Sequence, residues 1–408
     1  MSDAVKVPTS ELAIGMHVTA LDRPWLETPF LLQGFVIKED NEIDRLREYC
    51  EFVFVLPTYQ FAKPKTSLPP VPQRRRTREQ LFTQRSFTKY EDKTNWEQEY
   101  PKAKEAVDEL SRGVDEVFTA VESGGSLEML KVKGAVQPMI DSITRNPDAC
   151  IWLARMKQVD NYTYQHALGT SIWAVALGRQ LGLPAQDLRS LAIGGLLMDV
   201  GKLQVSQDLL HAERRLTPEE FQHVKEHVSH GIASFGDRGV LNHDVMDMVA
   251  HHHERVGGSG YPQGLKGDDI PVFGRIGAIV DTYDAITSHR SYSRALPPAQ
   301  AVKHLYDGRG REFQTELVEE FIQAIGIYPA GTLVELSSGE IAIIVAEYRS
   351  RRLRPRVMVL LDREKKPLDA PVIIDMLTQT HTESGEELSI VGSLEPDAYG
   401  IDMRGIKL

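Results

Sequence analysis

The sequence predicts an α+β protein built around a helical bundle, and three observations support that prediction. From about Trp96 to Pro329, apolar residues recur three and four positions apart between breakers such as GLPAQ and LTPEE, as in amphipathic helices. Residues 1–62 alternate short β-like runs (MHVTAL, FLLQGFVI, FVFVL) with one helical stretch. Residues 330–408 contain the β-branched runs GTLVELSSGEIAIIVAEY and RPRVMVLLD. We therefore expect a mainly helical core between a small α+β N-terminal domain and a small β-rich C-terminal unit.

Changes in composition along the chain divide it into four segments. Residues 1–62 form the N-terminal domain, 63–95 a linker rich in proline and arginine, 96–329 the helical domain, and 330–408 the β-rich unit. The linker carries arginines at positions 74, 75, 76 and 78. They could form a patch for nucleic acid or an acidic partner, but no aromatic platform accompanies them, which favours a solvated linker.

Composition and charge exclude several classes of function. The 408 residues carry a formal net charge of -11, which argues against binding a nucleic-acid polymer because phosphate contacts need a basic face. We find no membrane-spanning run and no secretory signal, so we expect a cytoplasmic protein. Its two cysteines, Cys50 and Cys150, are expected to be buried structural thiols, as in a protein of a reducing compartment.

Histidines are strongly clustered in the helical segment. Eight of the 13 histidines fall between positions 211 and 253, namely at 211, 223, 227, 230, 243, 251, 252 and 253. His223 and His227 are four residues apart in a helix-like segment and so share a face. Such clustering is unusual for histidines whose role is only structural.

Further nitrogen and oxygen donors lie in other apolar segments. His166 is near the start of an amphipathic helix, and Asp199 ends the apolar run GGLLM. Asp281 and Asp284 are three residues apart in GRIGAIVDTYDAIT. Imidazoles and carboxylates that converge from several helices would form a polynuclear metal site, because such donors suit Fe, Mn or Zn.

Each of these residues also has an ordinary structural interpretation. Taken alone, His166 could be an ordinary core or surface histidine. His252 and His253 could be a pair on the surface, and Asp199 could cap a helix before Gly201. Their joint placement at the ends and centres of apolar helices favours the metal site.

Three stretches together resemble the HD-GYP family, the branch of HD-domain metal hydrolases that cleaves cyclic di-GMP. They are KEHVSHG at 225–231, HHERVGGSGYPQGL at 252–265 and RIGAIVDTYDAITSHRSY at 275–292. The resemblance covers about residues 150–325 and implies an HD-type helical bundle with metals in its core and a GYP loop beside them. The N-terminal stretch GMHVTALDRPWLETPFLLQGF resembles a domain of unknown function that often precedes HD-GYP domains in bacteria.

The resemblance implies two divalent metal ions, most often Fe or Mn, with Zn or Mg as alternatives. It assigns six ligands to them: His166, Asp199, His227, His252, His253 and Asp281. Asp199 would bridge the ions as a catalytic residue.

Four more residues have roles implied by the resemblance. Lys202 would act in catalysis beside the substrate phosphate, Tyr261 and Pro262 would form a rigid wall of the GYP loop, and Arg290 would contact the ligand. The alternative for the glycine-rich loop is an ordinary tight turn.

The sequence departs from the family pattern in three places. Met198 replaces the histidine of the HD pair, Val256 and Gly257 replace the usual Trp-Asp, and Tyr162 stands where members with a third metal carry glutamate. We therefore expect two ions rather than three.

Met198 should weaken one of the two metal sites. One ion would be bound by Asp199 with the three later histidines, whereas the other would rely on His166, Asp199 and Asp281. A thioether binds Fe(II), Mn(II) or Zn poorly, so core packing is the favoured role of Met198. Water, substrate phosphate, His223 or His230 could occupy the vacant position.

Two functions remain open from the sequence. The first is a metal-dependent phosphodiesterase of bacterial second-messenger signalling that hydrolyses cyclic di-GMP to pGpG, with GMP as a further product left open. The second is a degenerate receptor or adaptor that binds the nucleotide, or protein partners through the GYP loop, without hydrolysis. The helices between residues 100 and 150 either mediate homodimerisation or extend the bundle.

Overall fold

A computed structural model describes ten stretches of the chain. They are residues 5–23, 35–37, 40–55, 76–123, 129–156, 162–235, 242–288, 295–349, 351–382 and 384–401. The chain divides into two compact units, Met1–Arg75 and Arg76–Leu408. No helix among the described residues combines the length and apolar character needed to cross a bilayer.

Among its described residues, the first unit contains a four-stranded antiparallel sheet, in the order β1-β4-β2-β3, and one α-helix. Its elements are β1 Val5–Pro8, β2 His17–Leu21, β3 Phe35–Val36, α1 Asp40–Tyr49 and β4 Phe52–Val55. Leu46 of α1 is fully buried in a small core that includes Val18, Val53 and Cys50. The alternating burial of β4 matches the period of two expected for a strand with one face on a core.

The second unit contains thirteen described α-helices followed by a sheet. The helices are α2 Arg78–Leu81, α3 Trp96–Glu122, α4 Met129–Arg145, α5 Pro147–Met156, α6 Tyr162–Leu181, α7 Ala185–Leu197, α8 Gln207–Leu210, α9 Pro218–Lys225, α10 His227–Ser234, α11 His243–His251, α12 Val272–Thr287, α13 Pro298–Gly308 and α14 Thr315–Ile325. Helices α6, α7 and α12 are buried along most of their length. They form the centre of the bundle, which confirms the predicted fold class.

Residues 76–95 differ from the expectation that 63–95 is a linker. The Arg85 guanidinium forms ion pairs with Asp187 (2.8 Å) and Asp244 (2.8 Å), and the Thr88 amide donates to the Gly182 carbonyl (2.7 Å). This stretch therefore packs on the helical unit. Because polar side chains and backbone groups make these contacts, the composition did not reveal them.

The arginines of this region have separate environments. Arg76 forms an ion pair with Asp268, and Arg78 donates to the Leu181 carbonyl (3.2 Å). Arg74 and Arg75 lie outside the described residues.

The C-terminal residues form a five-stranded antiparallel sheet in the order β8-β7-β6-β5-β9. Its strands are β5 Leu333–Leu336, β6 Ile341–Ala346, β7 Arg356–Leu361, β8 Pro367–Asp375 and β9 Ile390–Ser393. The side chains of Val334, Ile344 and Val357 are fully buried in its core. The predicted β-rich unit is therefore present.

A buried contact between Arg352 and Glu347 follows β6 and attaches this sheet to the helices. Arg352 contacts the Glu347 carboxylate at 3.0 Å and donates to the Gln323 carbonyl of α14, while Asp148 of α5 accepts from the Glu347 amide (3.0 Å). Burial raises the pKa of Glu347 to about 8, although the Arg352 guanidinium acts in the opposite direction. Burial also lowers the pKa of Arg352, so dehydration outweighs their mutual attraction.

The Glu347 carboxyl should make stability depend on pH. Its pKa in the folded protein exceeds the value of roughly 4.3 expected when unfolded, so folding takes up a proton and the free energy of unfolding falls as pH rises from about 5 to 8. We expect Glu347→Gln, which is neutral at every pH, to gain stability relative to the wild type across this range, by more than about 1 kcal/mol.

Guanidinium unfolding at pH 5.5 and pH 8, followed by tryptophan fluorescence, measures this difference. The matched control is Glu364→Gln, since Glu364 is exposed. A Glu347→Gln variant that is destabilised equally at both pH values would show that the carboxylate is charged throughout.

Candidate metal centre

Asp199 is the central carboxylate of the site and is 2% exposed. The apolar helix α7 ends just before it, and a single helical turn, Val200–Gln204, follows. A Cβ added to Gly201 would lie 1.9 Å from the His227 carbonyl oxygen. Glycine at this position therefore lets the start of α10 pack directly against the turn that carries Asp199.

Three imidazoles, from the start of α10 and from the residues that follow α11, lie around the Asp199 carboxylate. The Nε2 atoms of His227 and His252 lie 3.4 Å and 3.5 Å from its Oδ1 atom, and the Nε2 atoms of His227 and His253 are 3.2 Å apart. The Nδ1 atoms of His227 and His252 face the carbonyls of Val224 (2.7 Å) and Val249 (2.9 Å). A carbonyl only accepts, so these Nδ1 atoms carry the hydrogen and both Nε2 atoms present lone pairs.

A second group of donors shares Asp199. The Nε2 atom of His166 lies 3.2 Å from Asp199 Oδ2 and 3.1 Å from Asp281 Oδ1. Burial opposes the charge on His166, yet its hydrogen bonds to Asp199, Asp281 and Asp284 raise its pKa well above the usual value. His166, Asp199 and Asp281 form one compact donor group, and Asp199, His227, His252 and His253 form another.

Asp284 orients His166 from behind. Its Oδ2 atom contacts His166 Nδ1 at 2.7 Å, and its Oδ1 atom accepts from the Trp173 indole at 2.9 Å. A Cβ on Gly169 would lie 2.0 Å from Asp284 Oδ1, so glycine in α6 permits this approach of α12. The carboxylate fixes the ring orientation of His166, as partners of metal-binding histidines do. Asp284 is visible in the sequence beside Asp281, but nothing in its spacing indicates this role.

The donor set fits divalent cations. Among the described residues, Asp199 Oδ1 is a buried atom with no hydrogen-bond partner, although two imidazole lone pairs face it. Burial lowers the pKa of His227 to about 4 and holds that of His253 well below its usual value, so both rings are neutral at pH 7 and can act as ligands. A cation among these groups would satisfy lone pairs that otherwise repel one another.

The position of the missing HD histidine is not filled by another described imidazole. Met198 is fully buried, as core packing predicts. His223 has a 67% exposed side chain and pairs with Glu226 at 3.5 Å. Neither His223 nor His230 belongs to the two donor groups found among the described residues. The expectation that one of them occupies the vacant position is therefore not supported by the geometry.

Lys202 lies where the second donor group meets a large cavity. Its ammonium contacts Asp199 Oδ2 at 2.5 Å, and its side chain is 16% exposed and lines the cavity. Burial disfavours its charge, but the neighbouring Asp199 carboxylate raises the pKa of Lys202. Lys202 is therefore a cation at neutral pH with donors available to a ligand.

The glycine-rich loop is attached by a glutamate that the sequence analysis did not single out. Glu254, 1% exposed, accepts from the amides of Gln263 (2.7 Å), Gly264 (3.1 Å) and Leu265 (3.0 Å). Its position directly after the histidine run was the available signal. The loop is thus a carboxylate-anchored structure rather than an ordinary tight turn.

The anchored loop presents one aromatic ring to the site. Tyr261 stacks on His253 with ring centroids 4.5 Å apart and lines the cavity. Pro262 is exposed and lies outside the cavity wall. Arg290, the predicted ligand contact, falls outside the described residues.

The cavity has a volume of about 1570 Å³ and opens over both donor groups. His227, His253 and Asp281 line it, together with Tyr162, Phe221 and ten consecutive residues from 209 to 218. The ring of Tyr162 stacks on His166 at 5.5 Å. Sequence reasoning missed the contribution of 209–218, because this connection between α8 and α9 has no apolar period or motif.

Three families match this sequence. It matches the HD domain over residues 139–317, the domain of unknown function DUF3391 over residues 4–132, and the KOW domain associated with HD domain over residues 333–383.

Curated proteins and a solved structure are similar to the chain. A cyclic di-GMP phosphodiesterase of Pseudomonas aeruginosa is 31% identical over 384 residues, which cover 90% of this chain and 88% of that protein. A 3′3′-cGAMP-specific phosphodiesterase of Vibrio cholerae is 32% identical over 40% of this chain and 31% of its own length. A solved HDG"Y"P protein from Bdellovibrio bacteriovorus covers 78% of this chain and 98% of its own, with 18% identity and a TM-score of 0.47.

The extent of these matches identifies the family to which the chain belongs. The Pseudomonas aeruginosa relative aligns through nearly the whole of both chains, and the HD domain match spans the helices that carry every described member of the two donor groups. This chain belongs to the HD-GYP family of HD-domain proteins.

Proposed function

We propose that this protein is a metal-dependent phosphodiesterase that hydrolyses cyclic di-GMP to pGpG in bacterial second-messenger signalling. One observation carries the proposal: two donor groups share the buried carboxylate of Asp199 beneath a cavity large enough for a dinucleotide. Several relatives are named cyclic di-GMP phosphodiesterases, which supports this substrate. We further propose that the six predicted ligands hold two divalent ions, Fe or Mn before Zn or Mg.

Divalent cations held by these residues would activate a water and neutralise charge at phosphorus. In the reaction, the water oxygen bonds to phosphorus, the P–O3′ bond breaks, and the departing 3′-oxygen is protonated from solvent. Lys202 gives one donor to Asp199 and has others to bind a nonbridging phosphate oxygen. The rings of Tyr162, Phe221 and Tyr261 line the cavity and offer faces on which a guanine can stack.

The competing function is a receptor or adaptor that binds the nucleotide without cleaving it. It is favoured by Met198, since the second donor group contains one imidazole and two carboxylates where the family has another imidazole. Against it, a protein that only binds a partner has no chemical need for three imidazoles gathered around a buried carboxylate.

Metal content tests the two donor groups. We expect about two ions per chain in the wild type, about one in His166→Ala, which keeps the three-imidazole group, and almost none in Asp199→Asn, which removes the shared charge. Inductively coupled plasma mass spectrometry after dialysis in metal-free buffer gives the count. His223→Ala is the matched control because His223 is exposed. Equal loss in His166→Ala and Asp199→Asn would contradict two separate positions.

Activity decides between enzyme and adaptor. We expect the wild type with Mn(II) or Fe(II) to convert cyclic di-GMP to pGpG, and Asp199→Asn to be slower by at least about a thousandfold, because both ions depend on that carboxylate. Chromatography of the products measures both, with 3′3′-cGAMP as a parallel substrate. Binding of cyclic di-GMP without product under either metal would establish the adaptor.

The Met198 position can be tested by restoring the family residue. If the missing imidazole limits the second ion, Met198→His should raise the affinity for that ion and the turnover number, by roughly tenfold or more. Competition with a chelating dye measures the affinity. Met198→Leu is the control, since it keeps an apolar side chain of similar volume at this buried position. No difference between the two variants would mean that the vacancy does not limit activity.

A further inference from the structure

We propose that Arg215 binds the second phosphate of a cyclic dinucleotide, the one that is not being cleaved, and thereby makes the site select dinucleotides over simpler diesters. The inference rests on the proposed function and adds a residue that selects the substrate.

The size of the cavity gives the first reason. Small-molecule sites usually measure about 300–1,000 Å³, whereas this cavity measures about 1570 Å³. His227, His253 and Asp281 occupy only one part of its wall, and a single phosphodiester bound there would leave much of the space to the rest of the ligand. A cyclic dinucleotide carries a second phosphate, whose negative charge needs a partner of its own in such a cleft.

The charged residues of the wall give the second reason. The cavity is lined by five arginines and lysines: Arg155, Lys202, Arg214, Arg215 and Arg255. Within the described parts of the chain, the charged groups of four of them already contact another protein group. Lys202 contacts Asp199, Arg214 pairs with Glu220, Arg155 donates to the Gly331 carbonyl, and Arg255 donates to the carbonyls of His252 and Glu254.

Arg215 is exposed, and its guanidinium forms no hydrogen bond or ion pair with any described residue. A guanidinium is always charged and presents two parallel N–H groups, which match two oxygens of a phosphate. Among the described residues of the wall, Arg215 is therefore the cation whose guanidinium is available to a ligand.

The backbone of Arg215 is nevertheless well positioned. Glu220 accepts from the Thr217 amide (2.9 Å) and holds both terminal nitrogens of Arg214 (2.7 Å and 2.6 Å). Arg214 in turn donates to the Arg215 carbonyl at 3.4 Å. The start of α9 thus fixes the turn from which Arg215 extends, so only its side chain must be ordered when a ligand binds.

The test compares two substrates in the full-length, metal-loaded protein. Cyclic di-GMP has a second phosphate, whereas bis(p-nitrophenyl) phosphate has only the reacting one. We expect Arg215→Gln to raise the KM for cyclic di-GMP about tenfold or more, with kcat within about twofold and bis(p-nitrophenyl) phosphate hydrolysis unchanged. Arg215→Lys should restore part of the affinity, and the salt dependence of KM should flatten in Arg215→Gln.

The control is Arg363→Gln, since Arg363 is exposed in the turn between β7 and β8 and does not line the cavity. An unchanged KM in Arg215→Gln overturns the inference, and so does an equal loss on both substrates, which would indicate a disturbed metal centre.

Failure of the proposed function gives a different result, because the wild type itself would then not hydrolyse cyclic di-GMP. In that case calorimetric titration with cyclic di-GMP decides: about tenfold weaker binding by Arg215→Gln supports the inference, and equal binding overturns it.

Discussion

The arrangement of this bundle depends on compensating one buried carboxylate. Asp199 is almost completely dehydrated, and an isolated charge in such a place would be strongly unfavourable. Its Oδ2 atom meets Lys202 and His166, while Oδ1 faces His227 and His252. Lys202 and His166, from the turn after α7 and from α6, compensate this charge directly. The rings of His227 and His252, from α10 and the residues after α11, present lone pairs to Oδ1 and would compensate it only through a bound cation.

A second layer of contacts holds the proposed ligands in place. Backbone carbonyls fix the tautomers of His227 and His252, whereas Asp284 and Trp173 fix His166. These contacts lie within helices or between packed helices, which keeps donor atoms in position better than loops would. Small residues at the crossings, such as Gly169, allow the close approach that these contacts need.

The sequence revealed the donor atoms more readily than the contacts that position them. Imidazoles and carboxylates on apolar helices are a local signal, and the family resemblance added their order along the chain. The role of Asp284 was not visible, because spacing places it near Asp281 but only the crossing of α6 and α12 decides which carboxylate turns toward His166 Nδ1. The contacts of residues 76–95 were likewise not visible, since they combine two buried apolar residues, Leu81 and Phe82, with polar contacts to residues distant in sequence, such as Asp187 and Asp244.

The charge of the centre explains how an acidic protein can hold an anionic ligand. The whole chain carries a formal charge of -11, yet the two donor groups contain only two carboxylates, Asp199 and Asp281, beside four imidazoles. Two divalent ions would bring four positive charges against these two negative ones, and Lys202 adds another positive charge. The loaded centre would then be net positive inside a cleft of low dielectric, where its field is weakly screened. Local charge, rather than the charge of the whole chain, therefore sets the sign of the ligand that this cavity attracts.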